Sequence, residues 1–531
     1  MQTPSNGAPF NFAAWLAELN AGRLGKTAYI DDQGRLSYGE LFERMRLMAT
    51  ALQGLGIRRE ERVLLCMQDC NDWPVAFLGA LYAGIVPVAV NTLLPAEDYA
   101  FMLENSRAQA VITSDPLLPT LNQAIAQSAN EVKHRIVSRP AAQGHDGWTA
   151  IDALLAAQST GGAPAGPHAP ALVCGDDPGF WLYSSGSTGR SKGTVHSHAN
   201  LWWTCELYGK AVLALREDDI CFSAAKLFFA YGLGNALSFP LAAGATVVLL
   251  AGRPTPDAVF KVWLEHRPTV FFGAPTGYAG MLAHQALPAS ERVALRMCSS
   301  AGEALPRDLG DRFRAHFDCD IIDGIGSTEM LHVFLSNRPG DVRYGTTGKP
   351  VDGYEIELRG DDGLPVPAGE VGDLYIKGPS AALMYWGNRD KSRATFQGHW
   401  THSGDKYVRD ADGYYTYSGR SDDMLKVSGQ YVSPFEVEAT LAQHPGVLEA
   451  AVIGVADPQG LTRTKAFVVL KDGVAHSLAV ADELKAFVKQ RLAPHKYPRE
   501  MEFVAELPKT ATGKIQRFRL RALEAEKAHS K

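Results

Sequence analysis

The chain has 531 residues, 46% of them hydrophobic, so it is long enough to form two to four domains around large cores. Its formal net charge of −6 argues against a general binder of nucleic acids or of anionic membranes. Seven cysteines, an odd number without a C-x-x-C pair, predict reduced thiols in a cytoplasmic protein.

Helical and strand patterns alternate through the first two-thirds of the chain. Apolar spacing predicts a helix over 38–55, a strand over 62–66, a helix over 73–83 and a strand over 86–90. Such βαβ units predict parallel sheets covered by helices, an α/β fold. The stretch 140–170, rich in Ala, Gly and Pro, is expected to be irregular.

No targeting or membrane segment is expected. The N-terminus has no basic region followed by an apolar run, which argues against a signal peptide. The apolar stretches 76–90 and 236–250 are each interrupted by glycine and proline. Each therefore predicts a buried helix, a turn and a parallel strand, because a span needs about 20 consecutive apolar residues.

Residues 183–193, Tyr-Ser-Ser-Gly-Ser-Thr-Gly-Arg-Ser-Lys-Gly, form a candidate phosphate loop after a predicted strand end. Glycines allow close approach to phosphate oxygens, and successive N–H groups can form an anion nest. The segment does not fit the Walker A pattern, because two residues separate Gly189 from Lys192 and Gly193 follows the lysine. The residues expected to bind phosphate are Ser184, Ser185, Gly186, Ser187, Thr188, Gly189 and Lys192.

A small α+β unit is predicted beyond residue 420. Its predicted elements are helices over 434–443 and 481–492 and strands over 447–455 and 465–470. Residues 507–517, Leu-Pro-Lys-Thr-Ala-Thr-Gly-Lys-Ile-Gln-Arg, then place Lys514 on a loop. We predict an N-terminal domain over 1–420 and a C-terminal domain over 421–531.

These two loops, with three further motifs, resemble the adenylate-forming superfamily of acyl-CoA synthetases, peptide-synthetase adenylation domains and luciferases. The motifs are Asp-Gly-Ile-Gly-Ser-Thr-Glu at 323–329, Ser-Gly-Asp at 403–405 and Gly-Arg-Ser-Asp-Asp at 419–423, in family order. The resemblance runs from about residue 36 to 517. It implies a large N-terminal domain of stacked β-sheets with packed helices and a small, mobile α+β C-terminal domain. It also implies ATP, Mg²⁺ and coenzyme A, and we expect a monomer or homodimer.

The resemblance implies a role for each residue around the phosphates. Lys514 supplies positive charge to the adenylation step. Thr328 offers a hydroxyl to the α-phosphate, and Glu329 is a hard oxygen ligand for Mg²⁺. Asp405 accepts from the two ribose hydroxyls, and Arg420 contacts ribose or phosphate. Taken alone, Glu329 is also typical of a first helical turn and Asp405 of a tight turn.

The adenine is expected against residues 300–304, Ser-Ala-Gly-Glu-Ala, and the start of the 323–329 motif. The residues implied are Ala301, Gly302, Glu303, Asp323, Gly324 and Ile325. Ala301 stands where the family usually has glycine, and Ile325 where it commonly has a tyrosine. An aliphatic side chain cannot π-stack on a purine, so the adenine contact is expected to differ. Asp323 is expected to accept from the adenine amino group.

For the second step, the resemblance implies that the small domain rotates about Asp422 and that a thiol attacks the acyl-adenylate. The residues then expected near coenzyme A are Lys426, Ser428, Gly429 and Gln430. Only 14 residues, 518–531, follow the final lysine motif, and they include no carrier domain. Free coenzyme A is therefore the expected acceptor.

The acid pocket is predicted from segments 226–235 and 330–334. Its expected residues are Phe229, Ala230, Tyr231, Gly232, Gly326, Ser327, His332 and Val333. Aromatic walls beside a small residue favour a flat ring over a long alkyl chain, although phenylalanine is also a common core residue. These segments closely resemble benzoate–CoA ligases, in which Ile325 is usual. His332 is expected to bond the carboxylate, a ring substituent or a backbone carbonyl.

The sequence therefore predicts an AMP-forming aryl-CoA synthetase that makes benzoyl-CoA through a benzoyl-adenylate. A hydroxybenzoate- or aminobenzoate–CoA ligase is the alternative within this class, and the motifs alone do not exclude luciferase-type chemistry. A different class, a non-catalytic binder of nucleotide or acyl-adenylate, is disfavoured by the presence of Lys514, Glu329, Asp405 and Thr328 together.

Overall fold

A computed structural model of the chain describes residues 4, 7–141, 147–160, 169–184, 190–421, 423–427, 430–456, 462–493, 496–509 and 515–529. The α-helices are α1 Phe12–Leu19, α2 Tyr38–Gly54, α3 Asp72–Tyr82, α4 Ala96–Ser106, α5 Leu118–Gln127, α6 Ile151–Thr160, α7 His198–Thr204, α8 Ala230–Leu233, α9 Phe239–Ala243, α10 Pro256–His266, α11 Pro275–Ala283, α12 Arg307–Phe317, α13 Arg389–Thr395, α14 Pro434–Ala442, α15 Leu478–Lys489 and α16 Arg517–His529. Two π-helical segments, Cys205–Lys210 and Gly234–Ser238, continue α7 and α8.

The strands follow the same alternation along the chain. They are β1 Thr27–Asp31, β2 Gly34–Ser37, β3 Arg62–Cys66, β4 Val86–Ala89, β5 Ala110–Ser114, β6 His134–Ser138, β7 Thr149–Ala150, β8 Pro178–Ser184, β9 Lys192–Ser197, β10 Ile220–Ser223, β11 Thr246–Val248, β12 Val270–Gly273, β13 Met297–Ser300, β14 Ile321–Gly326, β15 Val333–Ser336, β16 Lys349–Pro350, β17 Glu355–Arg359, β18 Val371–Lys377, β19 Met384–Tyr385, β20 Phe396–Gln397, β21 Trp400–Arg409, β22 Tyr415–Arg420, β23 Leu425–Val427, β24 Gln430–Val432, β25 Val447–Ala456, β26 Thr462–Leu470 and β27 Glu500–Phe503.

The chain forms two compact units. The first comprises Met1–Ile356 and Ile376–His402, and the second comprises Glu357–Tyr375 and Ser403–Lys531. The boundary predicted at residue 420 is a different kind of boundary, since it marks the segment that is expected to rotate. It stays a prediction. Within the described residues, no helix is both long and apolar enough to cross a membrane.

The first unit contains two large sheets. One has the order β16-β15-β14-β13-β12-β10-β11-β1-β2, and its six strands from β14 to β1 are parallel. The other has the order β19-β9-β8-β4-β3-β5-β6-β7, and its six strands from β8 to β7 are parallel. Strands such as β4, buried along their whole length, are typical of parallel sheets covered by helices on both faces.

Local sequence signals explain helices α2 and α6 of the first unit. Ser37 and Glu40 form a capping box that begins α2, and the helix ends at Gly54 before Gly56. The prediction of an irregular 140–170 stretch is wrong at α6, where Ile151 and Leu155 are buried. The physical reason is that the glycines and prolines cluster after residue 160, while 151–158 is rich in good helix formers.

The second unit has its own core. Strands β25 and β26 pair antiparallel and β27 adds in parallel, with α14 packed against β25 and α15 against α14. Val437, Leu441, Val452, Val468 and Leu484 meet in this core. In the same unit β21 pairs with β22, which places Asp405 opposite Arg420. The predicted α+β unit is thus present, with elements within three residues of the predicted bounds.

Candidate active site

The carboxylate of Glu329 lies among three donors in the first unit. Its Oε1 accepts hydrogen bonds from the hydroxyl of Tyr385 at 2.7 Å and of Ser184 at 3.2 Å. The Nζ of Lys192 lies 3.9 Å from the same oxygen, and both charged side chains are less than one-fifth exposed. The structure therefore joins two predicted phosphate-binding residues to the predicted metal ligand.

The β8–β9 hairpin presents the two ends of the phosphate loop to this carboxylate. Ser184, the last residue of β8, pairs directly with Lys192, the first residue of β9. The intervening predicted residues Ser185, Gly186, Ser187, Thr188 and Gly189 lie outside the described residues. The hairpin thus places a hydroxyl and an ammonium group side by side where the loop begins and ends.

Tyr385 links Lys192 to Glu329, and no motif in the sequence marks it. It lies on the two-residue strand β19, opposite Thr194 of β9. Lys192 Nζ lies 4.5 Å from the centre of the Tyr385 ring and donates to its hydroxyl at 3.4 Å. The hydroxyl therefore accepts from the lysine while it donates to the carboxylate.

A buried histidine holds the main chain of Thr328. The Nδ2 of Asn200 donates to Nδ1 of His196 at 2.8 Å, so the proton of the imidazole is on Nε2, which donates to the Thr328 carbonyl at 2.8 Å. Burial lowers the pKa of His196 to about 4, which keeps the ring neutral. Phe180 stacks on the same ring at 5.1 Å. His196 and Asn200 were also missed from the sequence.

The predicted adenine-side residues lie where the parallel pairing of the adjacent strands β13 and β14 ends. Ser300 of β13 pairs with Asp323 of β14, and Ala301 follows directly. In α/β sheets ligands bind at this edge. Within the described part of the chain, Asp323 Oδ1 has no hydrogen-bond partner, and burial raises the pKa of the carboxyl well above its usual range. A buried, unpartnered acceptor is suited to an amino group.

The other predicted adenine-side residues have packing roles of their own. Glu303 accepts a hydrogen bond from the Thr276 hydroxyl at 2.7 Å, and Gly302 is exposed with a φ of +95°. Gly324 is buried against Val333, and Ile325 is half-buried on β14. Their contacts with a nucleotide stay predictions.

Two residues of the predicted acid pocket make a direct contact. The Nε2 of His332 lies 3.3 Å from the carbonyl oxygen of Tyr231 and therefore carries the proton. The ring of His332 also lies 4.5 Å from that of Phe239 and 5.2 Å from that of Tyr208. Burial lowers its pKa to about 3, so the ring is neutral. Gly326 lies so close to the main chain of His332 that a Cβ on Gly326 would lie 2.5 Å from the His332 carbonyl oxygen.

The remaining pocket residues divide by burial. Phe229 and Ala230 are half-buried at the start of α8, whereas Gly232 is buried, and a Cβ on it would lie 2.0 Å from the Lys226 carbonyl oxygen. The Ser327 hydroxyl accepts from the amide of Met330 at 3.1 Å. Val333 is buried on β15. Gly232, Ser327 and Val333 thus have structural roles in addition to their predicted contacts with the substrate.

In the second unit, the predicted ribose ligands form an ion pair. Arg420 Nη1 lies 3.1 Å from Asp405 Oδ1, and the Asp405 amide donates to the Ser403 hydroxyl at 3.0 Å. The predicted residues Asp422, Ser428, Gly429 and Lys514 lie outside the described residues, and the side chains of Lys426 and Gln430 are likewise not described.

Fold and motifs together define an adenylate-forming enzyme. Residues 16–386 match the AMP-binding enzyme family, and residues 436–514 match the AMP-binding enzyme C-terminal domain. The chain therefore belongs to the AMP-binding enzyme family, which confirms the resemblance inferred from the motifs.

Within this family, the chain is similar to ligases that act on aromatic acids. The chain is 54% identical over 508 residues to a benzoate–CoA ligase of Thauera aromatica, which covers 95% of this chain and 94% of the relative. It is 47% identical over 522 residues to a 4-hydroxybenzoate–CoA/benzoate–CoA ligase of Rhodopseudomonas palustris, with 97% and 94% covered. A solved benzoate CoA ligase from Burkholderia xenovorans LB400 superimposes with a TM-score of 0.89 at 60% identity, over 96% of this chain and all of that one. The predicted α/β fold is confirmed.

Proposed function

We propose that the chain is an ATP-dependent benzoate–CoA ligase, which converts benzoate, ATP and coenzyme A into benzoyl-CoA, AMP and diphosphate. The observation that carries this proposal is the 54% identity to a benzoate–CoA ligase over 95% of the chain. The close contact of Tyr231 with His332 in the predicted acid pocket supports it, because it lines the site with rings suited to an aromatic acid.

In the first half-reaction, a benzoate oxygen attacks the α-phosphorus of ATP, and the bond from that phosphorus to the diphosphate oxygen breaks. Lys192, Ser184 and the loop 185–189 would hold the leaving phosphates. Thr328 would contact the α-phosphate, and its carbonyl is fixed by His196. Lys514 would supply positive charge as the negative charge develops. Asp405 and Arg420 would hold the ribose.

Mg²⁺ fits the residues around Glu329. Magnesium in nucleotide sites is held by one or two carboxylates together with phosphate oxygens. Glu329 offers such a carboxylate, with its Oε1 hydrogen-bonded to Tyr385 and Ser184 in a site less than one-fifth exposed. When bound, the cation would neutralise phosphate charge during the transfer.

In the second half-reaction, the thiol of coenzyme A releases its proton to water and its sulfur attacks the benzoyl carbon, and the bond from that carbon to the phosphate oxygen of AMP breaks. We propose that residues 421–531 rotate about Asp422 between the two steps. Lys426, Ser428, Gly429 and Gln430 would then face the thiol chain.

A specific observation keeps hydroxybenzoates and aminobenzoates as second candidates. Because His332 donates through Nε2, its Nδ1 is an acceptor, and this atom is buried without a partner among the described residues. A neutral imidazole acceptor suits a ring hydroxyl or amino group and does not suit the benzoate carboxylate, which is itself an acceptor.

We further propose a cytoplasmic enzyme, since the seven cysteines are all free. For the oligomeric state, a monomer or a homodimer is proposed, and light scattering coupled to gel filtration distinguishes the two.

The proposed function is tested by incubating the purified protein with ATP, Mg²⁺, coenzyme A and one acid at a time, and measuring AMP release. The acids are benzoate, its hydroxy and amino derivatives, phenylacetate, acetate and hexanoate. We expect the highest kcat/KM on benzoate. A preference for 4-hydroxybenzoate would establish the second candidate, and a preference for hexanoate or acetate would contradict the aromatic pocket. Nucleotide binding without AMP release would instead indicate the non-catalytic alternative.

A further inference from the structure

Segment 380–385 grips the peptide around Glu329 through both main chain and side chain. The amide of Ala382 donates to the Glu329 carbonyl oxygen at 2.8 Å, and the Ser380 hydroxyl donates to the Met330 carbonyl at 2.8 Å. Tyr385 then reaches the carboxylate itself at 2.7 Å. None of the residues 380–385 is among the predicted site residues.

The position of Tyr385 is fixed by its surroundings. Its side chain is 3% exposed, and its ring lies 5.2 Å from that of Phe396. The main chain of Tyr385 is also held, because its amide donates a hydrogen bond to the Ser392 hydroxyl at 3.0 Å. A hydroxyl held this firmly can impose one orientation on the carboxylate that it contacts.

The contacts on Glu329 are asymmetric. Among the described residues, the hydroxyls of Tyr385 and Ser184 and the ammonium group of Lys192 all contact Oε1. A carboxylate held through one oxygen presents the other in a defined direction. Such monodentate presentation suits Mg²⁺, which demands near-octahedral geometry and takes few protein ligands.

We propose that Tyr385 is a positioning residue, whose hydroxyl orients the Glu329 carboxylate for the Mg²⁺–ATP complex. The proposal rests on the proposed function, in which Glu329 holds the cation. The same hydroxyl also accepts a hydrogen bond from Lys192 at 3.4 Å, but Lys192 is held in addition by the Tyr385 ring, which does not depend on the hydroxyl.

The test is the dissociation constant of ATP measured by calorimetry, once with Mg²⁺ and once with EDTA. In Tyr385→Phe the ring remains under Lys192 and only the hydroxyl is lost. We expect Mg²⁺–ATP to bind about tenfold more weakly than in the wild type, as for loss of a hydrogen bond to a charged group. Binding of ATP in EDTA should change less than twofold.

Tyr354→Phe is the matched control. Tyr354 is 6% exposed, and its hydroxyl bonds the Ser380 hydroxyl at 2.6 Å, which in turn bonds Met330, the residue after Glu329. Its loss removes a buried hydrogen bond of the same kind without touching the carboxylate. It should therefore leave the binding of Mg²⁺–ATP unchanged.

A double-mutant cycle shows whether Tyr385 acts through Glu329. In a Glu329→Gln background, Tyr385→Phe should cause no further loss of Mg²⁺–ATP affinity, because the group that it positions is gone. If Tyr385→Phe does not fold, Ser184→Ala takes its place, because it removes another donor to the same oxygen without altering β19. We expect this variant to lose affinity for Mg²⁺–ATP, by less than Tyr385→Phe would.

Wild-type affinity for Mg²⁺–ATP in Tyr385→Phe, or an equal loss in Tyr354→Phe, would overturn the proposal. An additive effect in the double variant would also overturn it. If the wild type binds Mg²⁺–ATP but makes no benzoyl-CoA, the proposed function fails while the positioning test still stands. The two failures are therefore distinguishable.

Discussion

Buried histidines of the first unit are neutral, and their neighbours show which nitrogen carries the proton. His196 donates through Nε2 to Thr328, and His332 donates through Nε2 to Tyr231. His198 accepts from the amide of Phe12 at 3.4 Å through Nδ1. Each ring thereby contacts a main-chain group, and a proton on Nδ1 would remove the acceptor that His198 offers to Phe12 and that His196 offers to Asn200.

His198 gives a pH-dependent contribution to stability. Burial lowers its pKa from the ordinary 6.5 to about 4, although nearby Asp177 opposes the shift. The unfolded chain therefore binds a proton between pH 6.5 and 4 that the folded chain does not, so the free energy of unfolding falls as the pH falls through this window. At about 1.4 kcal/mol per unit, the loss by pH 4 is on the order of 3 kcal/mol.

His198→Asn tests this contribution, because asparagine can keep an acceptor but does not titrate. We expect the wild type to lose on the order of 3 kcal/mol relative to the variant between pH 7 and pH 4, measured by urea unfolding. The same substitution at His399, which is exposed, is the control for replacing a histidine by asparagine without burial. Parallel pH profiles for wild type and His198→Asn would contradict this assignment.

At the scale of elements, strands β14 and β15 depend on a close approach at Gly326. A Cβ there would lie 2.5 Å from the His332 carbonyl oxygen and 2.8 Å from the Val333 nitrogen, both main-chain atoms that cannot turn aside. The pairing also shifts register between Ile325 and Gly326. This approach brings the predicted metal-ligand segment and the predicted acid pocket together.

Gly326→Ala should therefore raise the KM for benzoate by tenfold or more and lower the melting temperature, since His332 must move. The comparison is Gly54→Ala, at the last position of α2, where a Cβ meets nothing within 4 Å. That change should raise stability slightly and leave the KM unchanged, because alanine favours helix over glycine by up to about 1 kcal/mol. Unaltered benzoate kinetics in Gly326→Ala would refute the role of this approach.

The elements that were predicted from local sequence patterns are observed within three residues of the predicted bounds. The helix predicted over 38–55 is observed as Tyr38–Gly54, and the strand predicted over 62–66 is Arg62–Cys66. Apolar period, caps and glycine stops act within a few residues, so a sequence shows them directly. Helix α6 was missed because the composition of the whole 140–170 stretch concealed its helical first part.

The site was predictable only where motifs carry it. Glu329, Lys192 and Ser184 were named from motifs, and the structure brings them together. Tyr385 was not, because it lies 56 residues from Glu329 on a strand of two residues, too short for a periodic pattern. His196 lay beside the phosphate loop, but a lone histidine in a strand gives no signal of the carbonyl that it binds.

At the scale of the whole molecule, the proposed mechanism divides the work between two units. Lys514 belongs by sequence to the second unit, whereas Glu329 and the phosphate loop belong to the first. In the second unit Arg517, the first residue of α16, pairs with Glu438 and Asp423, so this helix is tied to the residue next to the proposed hinge. A substitution in one unit should therefore impair one half-reaction, adenylation or transfer to coenzyme A, more than the other.

Lys514→Ala should lower the rate of adenylation by about 100-fold or more, as for loss of a charge that stabilises the transition state. The same variant should retain much of the transfer to coenzyme A when benzoyl-adenylate is supplied. Rapid-quench measurement of each half-reaction checks this. Equal losses in both steps would contradict the division of roles, and full adenylation activity would exclude Lys514 from the chemistry.

The most direct measurement of the central claim is the exchange of labelled diphosphate into ATP without coenzyme A. A benzoyl-adenylate that forms reversibly predicts exchange that requires benzoate and Mg²⁺ and is weak with hexanoate. Exchange that begins only when coenzyme A is added would contradict an adenylate intermediate. Exchange that proceeds equally without any acid would contradict the assignment of benzoate as the substrate.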